Sequence, residues 1–313
     1  MPYSFPHRHL LDIERLSVVD IEAIFELATT YALQNRSANK TCVLLHGKTV
    51  VNLFFENSTR TRTSFEIAAK RLGADVVNIS IEHSSAKKGE SLLDTVLTLN
   101  AMQIDALVVR HNEDGVPQFI APHMQAHVIN AGDGKHEHPT QALLDALTIL
   151  RHKKKLAGLT VAICGDVGRS RVARSNIHLL KKFGATIRVV APADFISPDY
   201  KNFGVQILHD MKAGLADADV VMMLRIQHER SDGSYDFSTQ MQDYIAAYGL
   251  THAKLGVAKP DVIVMHPGPC NRGVEITSEL ADDPTYSVIR EQVEMGVAVR
   301  MAVMDLLMSG KGK

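Results

Sequence analysis

The sequence is short of cysteine, of charge of one sign and of long apolar runs. Its three cysteines, Cys42, Cys164 and Cys270, stand far apart. They offer neither a disulfide framework nor a zinc spacing, which suits a reducing, cytoplasmic setting. The 34 basic and 35 acidic residues leave a net charge of -1, so no overall field draws nucleic acid or an anionic membrane. No apolar run is long enough to span a bilayer. The opening Met1-Pro2-Tyr3-Ser4-Phe5-Pro6-His7-Arg8-His9 lacks the apolar stretch of a secretory signal. Internal repeats and low-complexity segments are also lacking. What is present is a 313-residue chain, 45% hydrophobic and 22% charged. That is ordinary for a globular protein and long enough for two domains. Any taste for anions must come from local clustering.

One such cluster is Phe54-Phe55-Glu56-Asn57-Ser58-Thr59-Arg60-Thr61-Arg62-Thr63-Ser64-Phe65-Glu66. It begins as strand, since Thr49 to Phe55 is β-branched and aromatic. It ends as helix, since Phe65, Ala68, Ala69 and Leu72 recur at helical spacing. A strand-to-helix turn points backbone N–H groups outward, and the helix dipole adds positive potential. Arg60 and Arg62 add full charges suited to phosphate or carboxylate. The turn therefore reads as a cradle for a small dianion. A blander alternative is that Thr63-x-x-Glu66 is a capping box that merely starts a helix.

The pattern along the chain alternates. Ser17 caps a helix running to about Asn35. Strands are predicted over 75–81, 105–110 and 127–130, with a helix over 90–102. Pro139 suits the first position of a helix reaching about His152. Lys153-Lys154-Lys155 followed by Gly158 marks a boundary. Beyond it, strands are predicted over 159–164, 185–190, 205–208, 220–224 and 262–265, and helices over 170–183 and 238–248. A long helix over 286–308 closes the chain. Strand alternating with helix signals parallel sheets with crossover helices. The expectation is an α/β protein of two doubly wound domains, each a central parallel sheet flanked by helices. The first covers 1–150, joined by the closing helix 291–313, which packs back on it; the second covers 151–290.

Open α/β sheets bind ligands beyond the carboxyl ends of their strands, and polar groups collect there. Ser58 to Arg62 follows the first strand; Ser84, Ser85, Lys87 and Lys88 follow the second. Arg110 follows the third, and His136, Glu137, His138 and Gln141 the fourth. In the second half Arg169 and Arg171, then Arg225, Gln227 and Arg230, then His266-Pro267-Gly268-Pro269 stand in the same places. His136-x-His138 does not make a metal site, because no further ligand falls at the needed spacing. His138 could also serve as a solvent-facing helix cap. Gly47-Lys48-Thr49 resembles the tail of a P-loop, but Cys42 replaces its first glycine and a strand follows. Gly165-x-x-Gly168 lacks the full dinucleotide fingerprint and fits an ordinary turn, with Arg171 aimed at the cleft.

Ser58-Thr59-Arg60-Thr61-Arg62 resembles the carbamoyl-phosphate signature of the transcarbamylases, and His138-Pro139-Thr140-Gln141 resembles their second signature. The likeness runs over essentially the whole chain. The ornithine branch carries a His-Cys-Leu-Pro segment and a Ser-Met-Gly loop. Here stand His266-Pro267-Gly268-Pro269 and Arg225-Ile226-Gln227-His228-Glu229-Arg230, which resembles the aspartate-binding loop of the other branch. A dicarboxylate needs cations, which Arg171, Arg225 and Lys88 supply.

The resemblance implies attack by the α-amine of L-aspartate on the carbonyl carbon of carbamoyl phosphate, the committed step of pyrimidine synthesis in this family. It implies an oxyanion site of Arg60, Thr61 and His138. Phosphate would be held by Ser58, Thr59, Arg60, Thr61 and Arg110. Gln141 and backbone carbonyls near Pro267 and Gly268 would orient the carbamoyl NH₂. Lys88, Arg171, Arg225 and Gln227 would grip aspartate. No metal or organic cofactor is implied. The loop holding Ser84 and Lys88 resembles one that reaches a neighbouring subunit, which implies a homotrimer with shared sites. Glu56 is left between orienting Arg60, pairing across the domains and standing on the surface. Arg272 and Glu275 are candidates for domain-closing pairs. Gly268 replaces a leucine of some relatives, so any contact there rests on backbone alone. Association with a regulatory or dihydroorotase-like chain stays open. So do another amine acceptor such as ornithine and a non-catalytic anion-binding role.

Overall fold

Strand β1 (Thr49–Phe54) is Thr-Val-Val-Asn-Leu-Phe, and all but its first residue are buried. A strand this apolar on both faces belongs inside a sheet covered on both sides. The computed structural model describes residues 3–80, 90–227 and 237–309. Within it the chain forms two units: Met1–Leu144 with Glu294–Lys313, and Asp145–Val293.

The first unit opens with helix α1 (Val18–Arg36). Its start is a capping box: the Ser17 side chain accepts from Asp20 N, and Ser17 N donates to Asp20 Oδ2 at 2.7 Å. Then follow β1, α2 (Thr59–Arg71), β2 (Asp75–Ser80), α3 (Leu92–Ala101), β3 (Ala106–His111), the short α4 (Val116–Ile120), β4 (His127–Asp133) and the start of α5 (Pro139–Lys153). The sheet order is β2-β1-β3-β4, with all pairs parallel. Leu53, Leu107, Val109, Ile120 and Val128 anchor one core on it. Residues before α1 lie along β4: Leu10 N donates to Val128 O, and Asn130 N donates to Leu10 O. This covers an edge that would otherwise present unpaired backbone.

The second unit runs β5 (Thr160–Cys164), α6 (Arg171–Lys182), β6 (Thr186–Val190), β7 (Gln206–Leu208), α7 (Met211–Leu215), β8 (Val220–Met223), α8 (Phe237–Tyr248), α9 (His252–Leu255), β9 (Ile263–Met265), α10 (Ser278–Asp282) and the start of α11 (Ile289–Met308). Its sheet, also parallel, has the order β7-β6-β5-β8-β9. Ala162, Val221, Met223, Val264 and Leu280 lie in its core.

Most of α11 returns to the first unit. Tyr31 donates to Asp305 Oδ2 at 2.8 Å, Arg36 forks onto Glu294 at 2.5 and 2.8 Å, and the Arg300 guanidinium lies 4.8 Å from the centre of the Phe65 ring. The closing helix thus packs on the helix that follows β1. Short helices α4, α7, α9 and α10 are too brief for a 3.6-residue period to show in the sequence.

Candidate active site

Each sheet reverses its strand order once, between β1 and β3 in the first unit and between β5 and β8 in the second. A reversal leaves a crevice at the carboxyl ends of those strands, because the flanking connections depart to opposite faces. The turn before α2 and Arg110 stand at the first of these places and the loops of Arg171 and Arg225 at the second, while His138, Gln141, Pro267 and Gly268 follow the adjacent strands β4 and β9.

In the first unit the turn 55–58 leads from β1 into α2. Helix α2 starts at Thr59, so Thr63-x-x-Glu66 lies inside it and is no capping box. Glu66 instead accepts from Lys70 Nζ at 2.6 Å and Asn78 Nδ2 at 2.9 Å. The Lys70 bond, chiefly, holds its carboxyl below the ordinary range. The cap of α2 is unusual. Ser17, Ser91 and Ser170 each accept from a backbone N–H three residues on, but the Ser58 side chain makes no such bond. No acidic residue occupies the first turn of α2. Its N–H groups therefore give α2 a positive end, and Arg60 is exposed there. Thr59 is exposed, and Ser58, Thr61 and Arg62 are half-buried beside it.

Arg110 sits near the end of β3, next to this turn: Phe55 N donates to Arg110 O at 2.9 Å. Its guanidinium is tied on two sides. Nη1 donates to Ala131 O at 3.0 Å, and Nε lies 3.2 Å from Glu56 Oε2. Glu56 therefore has Arg110 as its ion-pair partner. The sequence alone left that carboxylate unassigned.

His138 and Gln141 open α5 after β4, the next strand in the sheet. His138 O accepts from Gln141 N at 3.0 Å and from Ala142 N at 3.3 Å. His138 is only 4% exposed and Gln141 8%, so His138 is not a solvent-facing cap. The loop that delivers them is built on Asp133. This buried carboxylate accepts from Asn130 Nδ2 (2.8 Å), Glu137 N (3.1 Å), Gly115 N (2.7 Å) and His136 Nδ1 (3.0 Å). Burial pushes its carboxyl up, but the bonds from His136 and Asn130 prevail and hold it low. The Asp133 bond in turn raises His136. His136 is thus the partner of Asp133. Among the described residues no group of three or more His, Cys, Asp or Glu side chains is placed to hold a metal ion.

In the second unit, loops after β5 and β8 are zipped together. Leu224 N donates to Cys164 O at 2.8 Å, Gln227 N to Asp166 Oδ2 at 3.0 Å, and Gln227 Nε2 to Arg169 O at 3.0 Å. Burial raises the Asp166 carboxyl, with the Gln227 N–H and Arg169 opposing. Gly165, at φ +113°, is required here: a Cβ would stand 2.7 Å from Leu224 O. Gly165-x-x-Gly168 is therefore a packing device. These loops present Arg225, half-buried, and Arg171, the first residue of α6 and 4% exposed. Pro267 and Gly268 follow β9 and are half-buried. Arg272 forks onto Asp282 at 2.6 and 2.9 Å, and Glu275 accepts from His266 at 3.1 Å. Both candidates for domain-closing pairs thus have partners inside this unit. Ser84, Lys88 and Arg230 lie outside the described residues.

The sequence reading missed Asp133, Asp166 and the partner of Glu56. Asp133 stood between two glycines, and that was its only signal.

Residues 8–151 match the family described as aspartate/ornithine carbamoyltransferase, carbamoyl-P binding domain, and residues 157–307 match its Asp/Orn binding domain. The chain is 61% identical over 307 residues to an aspartate carbamoyltransferase catalytic subunit of Rhodospirillum centenum, covering 98% of this chain and 96% of that one. It is 60% identical to that of Rhodospirillum rubrum, over 97% and 95%. Among solved structures it resembles ornithine carbamoyltransferase from Pyrococcus furiosus, with TM-score 0.87, 28% identity and coverage of 98% and 99%. It also resembles aspartate transcarbamoylase from Trypanosoma cruzi in complex with carbamoyl phosphate and aspartate, with TM-score 0.82, 33% identity and 96% of each chain covered.

Proposed function

The chain belongs to the aspartate/ornithine carbamoyltransferase family, and from that premise we propose that it carbamoylates L-aspartate. The α-amine attacks the carbonyl carbon of carbamoyl phosphate, the C–O bond to phosphate breaks, and N-carbamoyl-L-aspartate and phosphate leave. The amine's protons pass to an acceptor during the step. The product's place is early in de novo pyrimidine synthesis, in the cytoplasm. The observation that carries the reading is the pairing, at the β1/β3 strand-order reversal, of an α2 start that lacks a Ser58 capping bond with Arg110, whose backbone accepts from Phe55 in the turn before that helix.

The proposed division of labour assigns carbamoyl phosphate to residues 1–150 with 291–313 and aspartate to 151–290. Ser58, Thr59, Arg60, Thr61 and Arg110 hold the phosphate. Arg60, Thr61 and His138 donate to the carbonyl oxygen as it gains negative charge. Gln141 and the carbonyls of Pro267 and Gly268 accept from the carbamoyl NH₂. Arg171, Arg225, Gln227 and Lys88 hold the dicarboxylate. Carbamoyl phosphate is already activated, so holding both substrates in attack geometry and stabilising charge account for the acceleration. Sharing of Ser84 and Lys88 between neighbours makes the working assembly a homotrimer.

The test is a side-by-side assay of carbamoyl phosphate with L-aspartate and with L-ornithine. Turnover of aspartate alone is expected. Turnover of ornithine alone would move the chain to the other branch, and phosphate-analogue binding without turnover would make it a non-catalytic relative.

A further inference from the structure

The turn after β9 is short of donors by composition. In His266-Pro267-Gly268-Pro269-Cys270-Asn271, two prolines carry no N–H. Three of the remaining four N–H groups are occupied by buried side chains. His266 N donates to Gln292 Oε1 at 2.9 Å, Gly268 N to His266 Nδ1 at 2.8 Å, and Asn271 N to Glu275 Oε1 at 2.5 Å. Because His266 Nδ1 accepts, the imidazole proton sits on Nε2 and donates to Glu275 at 3.1 Å. Gln292 Nε2 donates to Asp145 Oδ1 at 2.7 Å, and Asp145 Oδ2 accepts from Asn176 Nδ2 at 2.9 Å. Gln292 is 2% exposed, and Asp145, Asn176, His266 and Glu275 are likewise buried. Five side chains thus form one polar chain whose purpose is not core filling. A set of apolar residues would fill the space without the desolvation it carries.

We propose that Gln292 and Asp145 are positioning residues for the carbamoyl group. They fix the His266 backbone, and His266 and Glu275 fix the rest of the turn. What the turn then offers a ligand is carbonyl oxygen, which pairs with an NH₂ and not with a CH₃. This rests on the proposed transfer reaction, and it adds the residues that make the acceptor edge rigid enough to discriminate.

The test compares carbamoyl phosphate with acetyl phosphate, which differs by CH₃ for NH₂. In Gln292→Leu the KM for carbamoyl phosphate is expected to rise about tenfold, the effect of one displaced hydrogen bond or slightly more. Competitive inhibition by acetyl phosphate and by inorganic phosphate should stay within about twofold. A second series guards against a variant that does not fold. Gln292→Glu faces Asp145 with a second carboxylate and should lose the same discrimination. Adding Asp145→Asn reverses donor and acceptor across that bond and should restore it. An active wild type whose carbamoyl-to-acetyl ratio is unmoved by these changes, or a double variant that fails to recover, overturns the inference alone. A wild type without carbamoyl transfer overturns the proposed function and this inference with it.

Discussion

Arg110 is held in plane by Glu56 and Ala131, whereas Arg60 is exposed at the head of α2. The two arginines should therefore fail differently when their surroundings are changed. On the proposed assignment Arg60→Ala and His138→Ala each remove a donor from the developing oxyanion, and steady-state assays should show kcat lower by ~10²–10³. Glu56→Gln leaves both donors in place and loosens Arg110, so its main effect should be a several-fold rise in KM for carbamoyl phosphate. Comparable loss of kcat in Glu56→Gln would place Arg110 among the oxyanion donors instead. The pair His136–Asp133 gives a pH dependence. Asp133 is depressed when folded, so its contribution is present above the ordinary value of 3.8 and is lost as pH falls. His136 is raised, so its contribution is full below 6.5 and is lost as pH climbs through its higher folded value. The melting-temperature gap between wild type and His136→Ala should be widest between about pH 4 and 6.5 and should narrow as pH rises through the raised folded value of His136. A gap that grows toward alkaline pH would contradict the assignment. At this scale the sequence exposed what each residue could offer a ligand: forked cations, hydroxyls and an imidazole. It did not expose whom Glu56 would meet, because that requires knowing that β1 and β3 are neighbours.

The elements were more legible than their junctions. Ser17, Ser91 and Ser170 advertise helix starts because a short hydroxyl satisfies an orphan N–H wherever it stands. Ser58 stands at the same position and does not do this. The hydroxyl-rich run that follows it offered two registers for a helix start, and only the structure chose between them. The alternation of strands and helices was readable because strands such as β1, β4 and β8 are buried almost throughout. The order of strands was not, since local periodicity carries no record of which strand pairs with which. That order is what makes Gly165 a critical joint. Gly165→Ala would strain a φ of +113° and drive a methyl to 2.7 Å from Leu224 O, a backbone atom that cannot swing aside. The loops carrying Arg171 and Arg225 should separate, raising KM for aspartate at least tenfold, the scale of a strained joint of ~1–3 kcal/mol. Inorganic phosphate binding should be unaffected. A parallel loss of phosphate affinity would show that the damage is global unfolding, which a thermal melt would detect.

At the scale of the whole molecule, the proposed sharing of sites between subunits is tested by complementation. Ser58→Ala chains mixed with Lys88→Ala chains should regain activity in hybrids, because in the proposed trimer one site of a mixed assembly escapes both lesions. Hybrids as inactive as their parents would argue that each chain works alone. The path of the chain carries a further consequence. The first unit draws its members from Met1–Leu144 and again from Glu294 onward, about 150 residues later. On the ribosome, at 5–20 residues per second, that gap lasts roughly 8–30 s. Throughout it, Tyr31, Arg36 and Phe65 stand without Asp305, Glu294 and Arg300, their partners on α11. The half of the protein translated first is therefore completed last, and a nascent chain stalled before residue 294 should be a client for a holding chaperone.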